Sequence, residues 1–130
     1  MRGKDLRLNV YVFEHVKQIK QALGIAGVST KLFSWKVKDD PEYGAGAQID
    51  MVIDRADNIM NLCEMKFSTG EYAIEKTDDE NLRHKTARFI KSLNSFKAIH
   101  LTLITPFGIK QNMYQFSVQN VITSEDLFKE

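Results

Sequence analysis

The chain has 130 residues, 43% of them hydrophobic, and its 18 basic side chains nearly balance its 17 acidic ones, giving a net charge of +1. This composition predicts a single domain, residues 1–130, with its own core, and argues against a membrane-bound protein because no apolar run reaches about 18 residues. The single cysteine excludes an internal disulfide and fits a reducing compartment, so we expect a cytoplasmic protein.

The first predicted element is a helix near the start of the chain. Its apolar residues recur at helical spacing, at Val12, Val16, Ile19 and Leu23. Gly24 follows as the expected C-terminal cap in the left-handed conformation. The helix is therefore predicted to begin at residue 5 or 8 and to end at residue 23.

Three strands are predicted next, at residues 31–37, 48–54 and 59–67. The second alternates strictly, with an apolar face of Ile49, Met51 and Ile53 and an opposite face of Gln48, Asp50, Val52 and Asp54. A polar turn at residues 55–58 joins it to the third strand as a hairpin. The third strand is apolar on both faces at its start, which is typical of a central strand.

A second helix is predicted from the capping-box pattern of residues 77–80 and from an apolar stripe formed by Leu82, Phe89, Ile90, Leu93 and Phe96. Its later part is basic, and we expect Lys85, Arg88 and Lys91 to offer a nucleic-acid-binding surface. The alternative is that these bases only complement the helix dipole. Strands at residues 98–105 and 113–121 and a short helix at 123–128 complete the prediction.

The candidate site comes from the spacing of three charged residues. Glu64 and Lys66 are two residues apart and share one face of a strand, and the hairpin can bring Asp50 beside them. Two carboxylates and an ammonium can bind a hard divalent cation and leave a positive charge next to it. The alternative is a solvated strand face with an ordinary cross-strand ion pair.

An aspartate followed by Glu-x-Lys on the next strand resembles the PD-(D/E)XK nuclease superfamily, whose restriction-endonuclease-like core has the order αβββαβ. Residues 15–25, 48–55, 61–67 and 103–105 look more specifically like the C-terminal domain of AAA-type ATPases common in Bacteroides-type organisms. The chain has no phosphate-binding Gly-x-x-x-x-Gly-Lys-Ser/Thr loop, so no ATP site is expected in it, and an ATPase domain or subunit is an expected partner.

The resemblance implies an α/β fold with a central mixed sheet flanked by helices, and hydrolysis of DNA phosphodiester bonds with Mg²⁺ or Mn²⁺. Asp50 and Glu64 would bind the metal, and Lys66 would position the attacking water or stabilise the phosphoryl group. Gln48 is an auxiliary candidate, with an ordinary polar strand position as the alternative. Asn9 stands where the superfamily often has a further acid, and Asp5 is a candidate to replace it.

Two further functions remain open on the sequence. A PD-(D/E)XK scaffold that no longer cuts would serve as a nucleic-acid-binding or regulatory domain beside an ATPase, which Asn9 favours because it brings no charge. A protein-interaction module, in which the three charged residues form an ion pair, is the other. A homodimer that cuts both DNA strands is a further expectation.

Overall fold

The structure, a computed structural model, describes residues 12–94 and 96–129. Five strands form one mixed sheet in the order β1-β2-β3-β4-β5, in which β1 to β3 are antiparallel neighbours and β3 to β5 are parallel ones. The elements in chain order are α1 (Val16–Ala22), β1 (Thr30–Val37), β2 (Ala47–Arg55), β3 (Ile59–Met65), α2 (Lys76–Lys91), β4 (Ala98–Ile104), a 3₁₀ turn (Gln115–Ser117), β5 (Asn120–Ile122) and α3 (Ser124–Leu127). The predicted α/β class with a mixed sheet flanked by helices is confirmed.

Apolar side chains cover both faces of the sheet. On one face, Ile19 of α1 and Leu127 of α3 pack with a cluster that includes Met51, Cys63 and Ile104. On the other face, Phe89 of α2 packs with Val52, Met60 and Leu62, and it meets the Trp35 ring edge-on with ring centroids 5.3 Å apart. Because β3 is buried on both sides, it is a central strand, as its sequence predicts.

The hairpin between β2 and β3 fixes the register of the candidate site. Its turn closes with a hydrogen bond from the Asn58 N–H to the Arg55 carbonyl, at 3.3 Å. Asn58 has a φ of 69°, a left-handed conformation that asparagine tolerates better than most residues. The antiparallel register then pairs Met51 with Cys63.

A β-bulge interrupts β2 next to the candidate site. Phe33 pairs with Val52 and Trp35 with Ile49, so two steps along β1 correspond to three along β2. The extra residue lies in β2 at the position of Asp50 or its neighbour. Bulges of this kind turn a side chain away from its regular direction and are frequent next to functional sites.

The bulge changes which face each side chain reaches. Ile49 packs in the same cluster as Val52, whereas Met51 and Ile53 pack on the opposite face. The predicted strict alternation of residues 48–54 is therefore wrong at the bulge, although the strand itself is confirmed.

Three other predicted boundaries need correction. Helix α2 begins at Lys76, earlier than the predicted capping box at residues 77–80 implies. The capping box that forms consists of Glu75 and Asp78, and the Asp78 carboxylate accepts the Glu75 N–H at 2.9 Å. The helix ends at Lys91, and Phe96 is fully exposed and contributes nothing to the apolar stripe. The predicted strand at residues 113–121 is instead a 3₁₀ turn followed by the short β5.

Two predictions at the chain's helices hold. Gly24 has a φ of +73° directly after α1, as expected of a left-handed cap. Thr123 caps α3 by accepting from the Asp126 N–H at 3.4 Å. None of the helices within residues 12–94 and 96–129 is long and apolar enough to cross a bilayer.

Candidate functional site

Two carboxylates lie against each other where β2 and β3 meet. The paired ladder ends at Met51 and Cys63, and the next two residues, Asp50 and Glu64, interact through their side chains. The Asp50 N–H donates to Glu64 Oε2 at 3.2 Å, and the Met65 N–H donates to Asp50 Oδ2 at 2.9 Å. The structure thus brings together the two acids that the sequence singled out.

Both acids are buried. Asp50 is 4% exposed and Glu64 is 2% exposed. Burial of a carboxylate is unfavourable unless it is hydrogen-bonded, paired or bound to a metal, so such a pair is rare in an ordinary sheet. The alternative of a solvated strand face does not describe these two residues.

Lys85 completes a cluster of charges that the sequence did not reveal. Its ammonium donates to Glu64 Oε1 at 2.6 Å, and its side chain is 22% exposed. Lys85 lies between Leu82 and Phe89 on the face of α2 that packs on the sheet. A lysine at i+3 within an apolar stripe was the available signal, because its ammonium either extends to solvent or meets a counter-charge below the helix.

Lys66 lies at the end of the same strand. β3 ends at Met65, two residues earlier than predicted, and the Lys66 N–H then donates to the Ile104 carbonyl at 3.0 Å. This bond anchors the backbone of Lys66 to β4. Its side chain is half-buried, and its ammonium makes no hydrogen bond or ion pair with any residue that the structure describes.

The auxiliary candidates are described only in part. Gln48 is exposed at the start of β2, two residues before Asp50, and pairs with Lys36 of β1. Asp5 and Asn9 lie outside the described residues. Asp54, on the same strand as Asp50, forms an ion pair with Lys97.

Arg88 and Lys91 hold the loop between β1 and β2. The Arg88 guanidinium is buried and donates to the carbonyls of Ala45, of Gly44 at 3.0 Å and of Lys38 at 3.1 Å. The Lys91 ammonium lies 5.1 Å from the centroid of the Tyr43 ring. These contacts give both residues a structural role beside the predicted nucleic-acid-binding one, which stays a prediction.

Cys63 is not a reactive thiol. It is fully buried, and burial, with smaller effects of the Glu64 and Asp50 charges, raises its pKa far above the ordinary value. A thiol in this position stays protonated at neutral pH and packs as a small apolar side chain.

The donor set can be compared with what a divalent cation requires. Mg²⁺ is commonly bound by one or two carboxylates, with water and substrate oxygens as the remaining ligands. Asp50 and Glu64 provide two such carboxylates. Within residues 12–94 and 96–129, no group of three or more His, Cys, Asp or Glu side chains is arranged to hold a metal. The acids fit a two-carboxylate site, with the Lys85 ammonium at one of the oxygens.

Comparisons with known proteins give a match at the level of the fold. No protein-family model and no curated protein matches the chain. Among solved structures, the chain is similar to the crystal structure of a protein of unknown function, AF1548, with 18% sequence identity and a TM-score of 0.53. The match covers 90% of this chain and 64% of that one, and at this identity it shows a shared fold.

Proposed function

We propose that the protein is a metal-dependent nuclease domain that hydrolyses phosphodiester bonds of DNA. One observation carries the proposal: the β2–β3 hairpin holds the buried carboxylates of Asp50 and Glu64 against each other, with Lys66 two residues further on. A buried acid pair that contacts one lysine, with a second lysine two residues along the chain, is an arrangement suited to a cation and to the phosphate that the cation activates.

Each residue has a role in this proposal. Asp50 and Glu64 bind Mg²⁺ or Mn²⁺, which lowers the pKa of a bound water and neutralises charge on the phosphate. Lys66, whose ammonium is not taken up by a described carboxylate, positions the attacking water or stabilises the phosphoryl group. The anchoring of the Lys66 backbone to Ile104 fixes where its side chain starts.

The sequence adds support of a different kind. The Asp50, Glu64 and Lys66 pattern resembles the PD-(D/E)XK superfamily, and the order of the elements from α1 to β4 agrees with the αβββαβ core of that superfamily. Neither the pattern nor the fold identifies the substrate, so DNA as substrate is taken from the resemblance.

Cleavage of labelled linear and branched DNA in Mg²⁺ or Mn²⁺, with a chelator as the blank, tests the proposal. We expect Asp50→Asn, Glu64→Gln and Lys66→Met each to lower the cleavage rate at least about a hundredfold, since each removes a charge acting on the reacting phosphate. Asp54→Asn is the matched control, because it removes an acid from the same strand that contacts Lys97 and not the site. Equal cleavage by the wild type and the three site variants would refute the proposal.

The second candidate is a scaffold of the same fold that binds nucleic acid, beside an AAA-type ATPase, without cutting it. The Lys85–Glu64 ion pair favours it, because a carboxylate already neutralised by an ammonium has less need of a metal. This candidate predicts DNA binding that survives both chelation and Lys66→Met, with no cleavage under any metal. Absence of binding to any nucleic acid would instead favour a protein-interaction module.

A further inference from the structure

Helix α2, which packs across the sheet, supplies a counter-charge to the buried acid pair. Lys85 Nζ lies 2.6 Å from Glu64 Oε1, and Glu64 is almost wholly buried. The Lys85 side chain is 22% exposed, so part of it is in contact with solvent although its ammonium is paired with Glu64. A compact cation on a flexible stem can leave such a position by rotation of its own side chain.

An ammonium and a divalent cation are both attracted to a carboxylate oxygen, and the divalent cation is attracted more strongly because it carries twice the charge. Glu64 Oε2 accepts the Asp50 N–H, and Asp50 Oδ2 accepts the Met65 N–H, so main-chain donors hold the acids in place on the strand side. The other oxygen of Glu64, Oε1, accepts from the Lys85 ammonium, which is carried on a flexible side chain. A metal ion that binds Glu64 Oε1 would be repelled by the Lys85 ammonium at the same oxygen.

Lys66 and Lys85 differ in their contacts with the described residues. Lys66 forms no ion pair with a described residue, whereas Lys85 pairs with the acid that Lys66 follows by two positions. Lys66 is thus placed to act on substrate, and Lys85 to act on the metal-binding acid.

We propose that Lys85 competes with the divalent cation for Glu64, so that metal binding requires the Lys85 ammonium to withdraw from the site. The proposal rests on the proposed function, because it takes Asp50 and Glu64 to be the metal-binding pair. In the metal-free protein the Lys85 ammonium balances the charge of Glu64. In the metal-bound protein the released ammonium is available to a phosphate.

Titration of free Mn²⁺ by electron paramagnetic resonance tests this in the absence of substrate. We expect Lys85→Gln to bind Mn²⁺ at least about tenfold more tightly than the wild type, since one nearby charge commonly changes the affinity of a carboxylate for a cation by that factor or more. Lys85→Arg should stay close to the wild type because it keeps the charge. Lys91→Gln, the same change on the same helix beside Tyr43, should have no effect.

A second measurement uses the wild-type protein and does not depend on the folding of a variant. Saturation with Mg²⁺ should raise the rate of acetylation of Lys85, measured by mass spectrometry relative to Lys91, because the ammonium loses its partner. An unchanged rate at metal saturation would overturn the proposal.

The outcomes distinguish the metal site at Asp50 and Glu64 from the competition of Lys85 with the metal. Metal binding by the wild type with equal or weaker binding by Lys85→Gln would overturn the competition and leave the metal site standing, with Lys85 as a residue that positions Glu64. Absence of binding by the wild type, by Lys85→Gln and in the presence of DNA would overturn both. Tighter binding by Lys85→Gln that is lost when Glu64→Gln is added would support the competition.

Discussion

Replacement of Arg88 by methionine tests whether this residue acts as a structural clamp, by which we mean that its hydrogen bonds hold the loop between β1 and β2. The structure gives its buried guanidinium three carbonyl acceptors, on Lys38, Gly44 and Ala45, all in the connection that leads from β1 into the site strand β2. Methionine keeps the aliphatic length of the side chain but removes every donor. The carbonyls then lose their partners in a partly buried position.

The expected loss follows from these contacts. A hydrogen bond from a charged donor contributes about 1.5–3 kcal/mol, and the loop carbonyls recover part of this by binding water, so we expect Arg88→Met to cost about 3 kcal/mol in the free energy of unfolding. For a chain of this length, an unfolding entropy of about 2.1 cal/mol/K per residue converts this into a fall in Tm of about 11 °C. Arg88→Lys should lose most of the same stability, because one ammonium cannot reproduce the planar fork.

Urea and thermal unfolding followed by circular dichroism measure the effect, with Lys91→Met as the control. The Lys91 ammonium contacts the Tyr43 ring, and an exposed cation–π contact contributes about 1 kcal/mol or less. If Arg88→Met unfolds within about 1 kcal/mol of the wild type and instead loses DNA affinity, the clamp is refuted and the nucleic-acid-binding role predicted from the sequence is favoured.

Three more predictions concern the body of the fold. Gly46→Ala should destabilise the protein by about 1–3 kcal/mol in urea unfolding, because the new Cβ would lie 2.7 Å from the Val37 carbonyl oxygen. The control Gly70→Ala should be close to neutral, because nothing lies within 4 Å of its Cβ, and equal effects of the two substitutions would contradict this reasoning. Asn61→Leu should cost about 3 kcal/mol by the same assay, because it removes one acceptor of the buried Arg55 guanidinium, at 3.0 Å, and a donor to Thr102, while the Arg55–Asp57 pair remains. An unchanged stability would show that the network is dispensable. Cys63 should react with a thiol reagent only after denaturation, because burial raises its pKa, and rapid labelling of the folded protein would contradict its burial.

Much of the fold could be predicted from local patterns. The two-residue period of β2 and the apolar start of β3 located both strands, and the polar turn at residues 55–58 gave the hairpin that sets Asp50 against Glu64. Gly24 and Thr123 marked helix ends because their conformations are determined within a few residues. These features depend on neighbours in sequence, which is why a single sequence contains them.

The errors arise where distant contacts decide the structure. The segment around Met113 alternates like a strand, yet the Asn112 side chain accepts the Tyr114 N–H at 2.8 Å and donates to the Ile74 carbonyl, which favours a turn. The bulge beside Asp50 depends on how β1 pairs with β2. The contact of Asn112 with Ile74 and the pairing of β1 with β2 both join residues that are far apart in the sequence, so neither is indicated by the local pattern.

The candidate site divides in the same way. The pairing of Asp50 with Glu64 follows from strand register, whereas the arrival of Lys85 depends on how α2 packs across β3. The basic residues of α2 looked like one surface in sequence. In the structure, Lys85 contacts an acid, Arg88 contacts carbonyls and Lys91 contacts an aromatic ring.

The central claim is that Asp50 and Glu64 form a divalent metal site for phosphodiester hydrolysis. Calorimetric titration with Mn²⁺, carried out on the protein alone and with a phosphorothioate DNA that resists cleavage, tests it most directly. We expect saturable binding at one or two sites that is lost in Glu64→Gln and kept in Asp54→Asn. Absence of saturable binding both with and without DNA, or binding that Glu64→Gln leaves unchanged, would contradict it.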